Sequence, residues 1–401
     1  MHSGNIAKRS VQRAMIVTVV SDVLGVENNG VTIAAMNLIR SLKEKGHTVR
    51  VLCPDVDRMG QEGYYIVPTL NAGPLNGYVE RVGVVIARAD QRIVRQAIKG
   101  ADIVHIMLPF PLGRCALRIA KEEGIPVCAG FHAMAENVSV HLKMQNVPFA
   151  NHLVYEYFAG FYRDCDAIHY PTQYLRDLYE GMYGKTNGYV ISNGVSDAIH
   201  PVQTQRPARY EGEYLILFTG RYSPEKSHRI LIDAVAQSAY RDRIRLIFAG
   251  KGPEKEKLVS YAQKLPLQPV FSFFSRPEML KLLNEADLYV HPAEIEAEGI
   301  ACLEAISCGL VPIISDSPRC ATRYYAPGEN NLFHYNDPAD LTRRIDGWLS
   351  DPAARVVCRE QCLSMAESRF RLSACMSAME RMLSETLAHA GKAVPAGAGN
   401  L

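Results

Sequence analysis

Residues 287–312, DLYVHPAEIEAEGIACLEAISCGLVP, carry two kinds of secondary-structure signal in close succession. Leu288, Tyr289 and Val290 make a short apolar run of strand type. An acidic loop with a glycine follows, and residues 300–308 then repeat apolar side chains at helical spacing, with Gly309 as the stop. A second strand is predicted over 311–315. Strand, loop, helix and strand in this order form a parallel crossover unit. Its loop lies at the carboxyl edge of the sheet, where open α/β sheets bind ligands. Loop and helix together carry Glu296 and Glu304, with seven residues between them.

The elements on either side repeat this α/β alternation. Residues 214–219 read as a strand ending in Gly220-Arg221, and Pro224-Glu225-Lys226 leads into a helix over 228–238. Arg221 and Lys226 thus flank a strand-to-helix junction, where two cations can neutralise a diphosphate without a metal. The strand at 245–249 ends in a glycine-rich turn, Gly250-Lys251-Gly252-Pro253. A further strand at 270–273 and helices at 277–285, 338–349, 352–366 and 372–388 complete this half, and the closing GKAVPAGAGNL has the composition of a disordered tail.

The first half reads the same way, with strands at 14–20, 49–53, 102–107, 125–129, 167–170 and 189–191. Asn28-Asn29-Gly30 stands at the entrance of the first helix. There a glycine and free helix N–H groups can approach a phosphate or a sugar hydroxyl, though the same residues suit an ordinary turn. His132 follows a strand end in a loop with Glu136 and Asn137, which makes it the best placed of the 12 histidines. An aromatic-rich helix over 151–163 suits either core or an apolar acceptor groove. Residues 86–99 are predicted as an amphipathic helix with Arg88, Arg92, Arg95 and Lys99 in one basic stripe, either a solvated face or a surface for anionic lipid. The polar, proline-marked segment 200–213 reads as a linker. The expected organisation is a domain over 1–200, a second over 201–371, and a final helix and tail over 372–401 that return toward the first.

With 401 residues the chain has room for two domains at ~150 residues each. No apolar run approaches the ~18 residues of a membrane span, and the polar amino terminus lacks the apolar core of a signal peptide. The ten cysteines are scattered without a C-x-x-C pair, which fits reduced thiols in a cytoplasmic protein. The net charge of +2 hides an asymmetry. Residues 1–121 hold 16 Lys+Arg against 9 Asp+Glu, leaving 44 − 16 = 28 against 42 − 9 = 33 for the rest. The first part is therefore suited to an anionic partner. A G-x-G-x-x-G fingerprint after the first strand is missing, which disfavours a nicotinamide-dependent oxidoreductase.

These residues suit a nucleotide sugar. Arg221 and Lys226 carry positive charge, Gly299 permits close backbone approach, and the amides of Ile300 and Ala301 open a helix toward phosphate. Glu304, about one turn into that helix, can accept both ribose hydroxyls, and Glu296 can hold hydroxyls of a hexose.

The chain resembles the retaining glycosyltransferases of family 4, which have the GT-B fold of two Rossmann-like domains around a cleft. The resemblance rests on GVTIAAMNLIRSLKEKGHTVRVL, ISNGV, FTGRYSPEKSHRILIDA, FAGKGPEKEKL and VHPAEIEAEGIACLEAISCGLVPI. It implies that Arg221 and Lys226 bind the donor diphosphate beside the glycine turns (Gly220, Gly250, Gly252), that Glu304 binds ribose and Glu296 the transferred sugar. It also implies that His132 lies beside that sugar and Gly30 in the loop facing acceptor and phosphate. No resident metal or cofactor is implied, and nucleic acid is not an expected partner. Glu298 stands where the family commonly has Phe, and Ala293 where it has Ser; the extra carboxylate bears on sugar choice or on packing of the donor loop.

Two further segments, HIMLPFPLGRCALRIAKEEGIPVCAGFHAMAENVSVHL and FYRDCDAIHYPTQYLRDLY, look like the diacylglycerol glucosyltransferases of bacterial membranes. The expectation is therefore transfer of a hexose, glucose first, from a UDP-sugar to a lipid hydroxyl at the inner face of the plasma membrane. A soluble or polyprenyl-linked saccharide acceptor is the alternative, and a non-catalytic nucleotide-sugar-binding protein is the reading from another class.

Overall fold

A computed structural model describes residues 14–22, 24, 30–69, 87–136 and 147–391. Asn28, Asn29, Ile86, Asn137 and residues 392–401, which figure in the readings above, lie outside the described residues.

The first sheet contains β1 (Ile16–Val20), β2 (Thr48–Cys53), β3 (Tyr64–Ile66), β4 (Ile103–Ile106), β5 (Val127–Gly130), β6 (Ala167–Tyr170) and β7 (Gly188–Val190). All are parallel, in the order β3-β2-β1-β4-β5-β6-β7. Its helices are α1 (Gly30–Glu44), α2 (Gln91–Ile98), α3 (Pro111–Glu122), α4 (Pro148–Tyr162) and α5 (Gln173–Tyr183). The second sheet holds β8 (Tyr214–Thr219), β9 (Ile244–Ala249), β10 (Val270–Ser272), β11 (Leu288–His291), β12 (Pro312–Ser315) and β13 (Leu332–Phe333). These too are parallel, in the order β10-β9-β8-β11-β12-β13. Helices α6 (His228–Gln237), α7 (Lys255–Tyr261), α8 (Arg276–Glu285), α9 (Ile300–Ser307), α10 (Pro338–Ser350) and α11 (Pro352–Arg369) accompany it.

Both sheets reverse strand order beside their first strand, β1 between β2 and β4 and β8 between β9 and β11. At such a reversal the loops leaving the two neighbouring strands part to opposite faces and open a crevice. Strands covered on both faces are near-continuous apolar runs, and β4, β5, β6, β11 and β12 are buried along their whole length, with His105, His169, His291 and Ser315 as their polar members. One face of the first sheet packs against the aromatic side chains Phe131, Phe158, Tyr162, Tyr170 and Tyr179. Tyr155 and Phe161 of α4 are buried with them, whereas Tyr157 is exposed.

The other face is closed by the end of the chain. After α11 the backbone returns: Val195 N–H donates to Phe370 O at 2.7 Å and Leu372 N–H to Val195 O at 2.9 Å. Helix α12 (Leu372–His389) then lays Met376, Met379, Met382, Leu383 and Leu387 into the core that α1 also covers. Lys45 Nζ and His47 Nε2 hold Glu380 of this helix at 2.6 and 2.9 Å. All ten cysteines are free thiols. Among the described residues no helix is long and apolar enough to cross a membrane.

The basic helix is shorter than its sequence suggests. Asp90 caps it by accepting from Arg92 N–H, so α2 begins at Gln91 and Arg88 precedes it. Lys99 is its carboxyl cap. Arg95 is engaged by Glu122 and Glu123 at the end of α3. The predicted four-residue stripe is therefore not one helical face, because an N-capping aspartate stops the helix before Arg88 and acidic neighbours neutralise Arg95.

Leu383 is fully buried between α12 and the first sheet. Leu383→Ala should lower stability by about 2–5 kcal/mol, seen as a reduced midpoint in urea unfolding.

Candidate active site

The second sheet's strand reversal brings two loops together. One leaves β8 through Gly220 and Arg221 to the short turn Pro224–Lys226; the other leaves β11 and runs to Gly299. Ser227, with φ of 52°, adopts the left-handed conformation that lets the chain turn from Lys226 into α6. Glu294 N–H donates to Glu225 O at 2.8 Å, tying the loops backbone to backbone. Glu296 is fixed by its own backbone, with N–H to Arg319 O at 3.1 Å and C=O from Ala321 N–H at 2.8 Å.

These tethers set the central contact: Lys226 Nζ lies 2.5 Å from Glu296 Oε2, and His291 Nε2 lies 3.5 Å from the same oxygen. Burial alone would raise the Glu296 carboxyl, but Lys226 and His291 outweigh it and hold the group at about 2. Burial opposes the Lys226 ammonium, yet Glu296 raises it overall, so both partners are charged at neutral pH. His291 is held below the ordinary imidazole range, chiefly by burial.

Gly299 begins α9 with φ of 78°, and a Cβ there would meet Thr322 Cγ2 at 2.3 Å. Glycine is thus required both by conformation and by space. Ile300 and Ala301 open the helix behind it, and Glu304 lies in its second turn, where Arg276 Nη1 donates to Oε1 at 2.6 Å. Burial raises the Glu304 carboxyl against the opposing pull of Arg276. The glycines of the other turns answer to packing: a Cβ on Gly250 would fall 1.9 Å from Gly220 O, and one on Gly252 2.4 Å from Tyr222 O. The β8 and β9 loops touch through their backbones.

Arg221, Lys226, Glu296 and Gly299 thus belong to two loops at one strand reversal, with Glu304 on the helix behind the second, an arrangement able to hold an anion beside a polyol. His132 belongs to the first domain, in a cavity that Asn193, the partner of Glu298, also lines. It stands two residues beyond β5, packs edge-on against His169 at 5.2 Å, and lines a small internal cavity with Ala34, Leu38, Met376 and Met379. Burial, then His169 and His105, hold it well below the ordinary imidazole range. None of Arg221, Lys226, Glu296 and Glu304 lines that cavity. Gly30 begins α1.

Glu298 does not join the Lys226–Glu296 pair. Its carboxylate accepts from Ser192 Oγ at 2.7 Å, from Asn193 N–H at 2.9 Å and from the Asn193 side-chain amide. Burial pushes it up to about 7 against those bonds. Sequence reasoning missed these partners, together with Arg276, His291 and Asp22. Asp22, just past β1, accepts from Leu112 and Gly113 N–H at 3.0 and 3.2 Å, and burial pushes it up to about 7. Its position just past β1, at a strand end like His132, was the available signal.

Comparison with known proteins agrees with this geometry. The Glycosyltransferase Family 4 model matches residues 28–198 and the Glycosyl transferases group 1 model residues 201–364. The chain belongs to the family 4 glycosyltransferases and has their GT-B fold. It is 26% identical to an alpha-monoglucosyldiacylglycerol synthase of Streptococcus pneumoniae over 72% of this chain and 68% of that one. It is 25% identical to a GDP-mannose-dependent alpha-mannosyltransferase of Corynebacterium glutamicum over 75% and 72%. The Anabaena protein HepE, solved with UDP and glucose, shares the fold at a TM-score of 0.71, with 15% identity over 92% of this chain and 100% of that one.

The low Glu296 pKa sets a sign. The stability it contributes is complete above the ordinary value of 4.5 and is lost as pH falls toward about 2. Lys226→Met should cost about 3 kcal/mol at pH 7 by leaving a mostly buried carboxylate unpaired. In urea titrations the gap from wild type should close as pH is lowered below 4.5.

Proposed function

We propose that this glycosyltransferase moves a hexose, glucose first, from a UDP-sugar to a hydroxyl of a membrane lipid such as diacylglycerol, with retention of anomeric configuration. The observation that carries the donor reading is the Lys226–Glu296 pair at 2.5 Å beside the glycine-opened end of α9. A diphosphate would take Arg221, Lys226 and the amides of Ile300 and Ala301, with Gly220, Gly250 and Gly252 keeping the floor of the site low. Glu304 would receive the ribose hydroxyls in exchange for Arg276. Glu296, released from part of its bond to Lys226, would receive hexose hydroxyls.

In the reaction the bond from the anomeric carbon to the diphosphate oxygen breaks. The acceptor oxygen attacks from the same face, and its proton passes to the departing phosphate. Arg221 and Lys226 stabilise the charge that develops there, so the step calls on no resident metal. The two motif glutamates act as hydroxyl acceptors and not as the acid and base of a hydrolase. His132, as part of the first domain, is proposed to border the sugar when the domains close, and Gly30 to border acceptor and phosphate.

The lipid acceptor is supported by the name of the Streptococcus pneumoniae relative. A second support is the outer face of α4, where Phe149, Leu153 and Tyr157 are 70%, 53% and 45% exposed at four-residue spacing. Arg92, Arg88 and Lys99 would add attraction to anionic headgroups at the inner face of the plasma membrane. A GDP-mannose donor is the competing reading, favoured by the Corynebacterium glutamicum relative.

Mass spectrometry of products formed from UDP- and GDP-sugars with bacterial lipid extract tests the proposal. A UDP-glucose-derived glycolipid is expected, and a mannosylated product alone would replace it with the second reading. Arg221→Ala and Lys226→Ala should each lower turnover ~10²-fold or more, and normal rates in both would remove the diphosphate assignment. Glu304→Ala should weaken UDP binding in calorimetry by about tenfold, the loss of one charge-assisted contact pair. Liposome flotation should bring wild-type protein to the top fraction and leave a Phe149→Ser/Leu153→Ser variant below.

A further inference from the structure

The loop after β11 belongs to the second domain by sequence but is held by the first as well as by its own. Ile295, 1% exposed, sits in the aromatic core of the first domain, and Ala297 O accepts from Thr172 Oγ1 at 3.3 Å. Glu298, 5% exposed, is gripped by Ser192 and Asn193 through three hydrogen bonds. Those two residues follow β7, and Val195 just beyond them bonds to Phe370 and Leu372. The carboxylate therefore grips the place where the chain passes from first domain to second, beside the place where it returns.

A buried carboxylate is tolerated only when its oxygens are well supplied with donors. Here successive residues of the crossing supply all three. Two residues before Glu298, Glu296 is pinned by Arg319 and Ala321; immediately after it, Gly299 opens α9. With so short a connection, any movement of the crossing reaches both groups.

We infer that Glu298 is a positioning residue that fastens the donor loop to the interdomain crossing, so that approach of the domains and placement of Glu296 and the amino end of α9 are one event. This rests on reading the loop as the donor site. Sugar choice is not its role, since its carboxylate is already engaged by the first domain.

The test uses the full-length protein with the nucleotide sugar and lipid identified by the product panel. Glu298→Ala should lower kcat at least tenfold and UDP affinity by a smaller factor, because Arg221 and Lys226 are untouched while the Ile300 and Ala301 amides shift with the amino end of α9. Glu298→Gln keeps an acceptor oxygen and lets the Asn193 amide reverse, so it should restore kcat to within threefold. Asn193→Ala, which leaves the Ser192 and backbone N–H bonds in place, should lower kcat by less than Glu298→Ala, and the double variant should be no worse than Glu298→Ala. Equal losses for Ala and Gln, additive losses in the double variant, or an effect confined to KM would each overturn the inference.

Failure of the donor reading looks different: wild-type protein would bind neither UDP nor GDP. In that event scanning calorimetry still decides. One unfolding transition for wild type and two for Glu298→Ala supports the fastening, and a single transition in both refutes it.

Discussion

The structure turns on one ion pair made across a strand reversal. Lys226 comes from the loop after the first strand of the second sheet, and Glu296 from the loop after its neighbour β11. Parallel winding sends the two chains to opposite faces, so nothing local brings these side chains together; sheet order does. Once they meet, the charges hold each other in the ionised state despite burial. The site is therefore preorganised before any ligand arrives, and a ligand has to compete with an existing bond. A diphosphate offers Lys226 a stronger negative partner than one carboxylate, and a polyol offers Glu296 hydroxyl donors. Exchange of partners is thus chemically balanced on both sides.

Much of this was legible in the chain. The alternation of apolar runs with helical periods gave the central strands of both parallel sheets, because strands covered on two faces are near-continuous apolar runs, whereas the short edge strands β3 and β13 were not read. Arg221, Lys226, Gly299 and Glu304 stood out since each sits at a strand end or helix start, positions that spacing reveals. Partners drawn from distant sequence could not be read this way. Arg276 reaches Glu304 across 28 residues, and Asn193 reaches Glu298 across 105. No periodicity relates them: packing within the second domain joins the first pair, and packing of the two domains joins the second. The basic stripe failed for a local reason, an aspartate at position 90 able to cap, and a distant one, two glutamates at the end of α3.

Buried acids recur at both strand reversals and serve different ends. Asp22 in the first domain ends its hydrogen bonds on the opening turn of α3, a purely local brace between β1 and the helix after β4. Glu298 directs its bonds to another domain. Between them lies Glu296, the only one of the three whose carboxyl is held far below the usual range by a cation. Environment has given three similar side chains opposite shifts within one fold: a cation holds Glu296 low, and burial raises Asp22 and Glu298.

The return of α12 to the first domain also shapes how the molecule is made. Synthesis proceeds from the amino terminus, at ~5–20 residues per second. Residues 372–389 are made after all the strands of both sheets, yet they close one face of the sheet that is made first. The second domain, whose elements lie between residues 214 and 369, has its whole core available earlier. Completion therefore runs against the order of synthesis. The half begun first waits, with Met107, Leu38 and their neighbours uncovered, until α12 emerges and seals it.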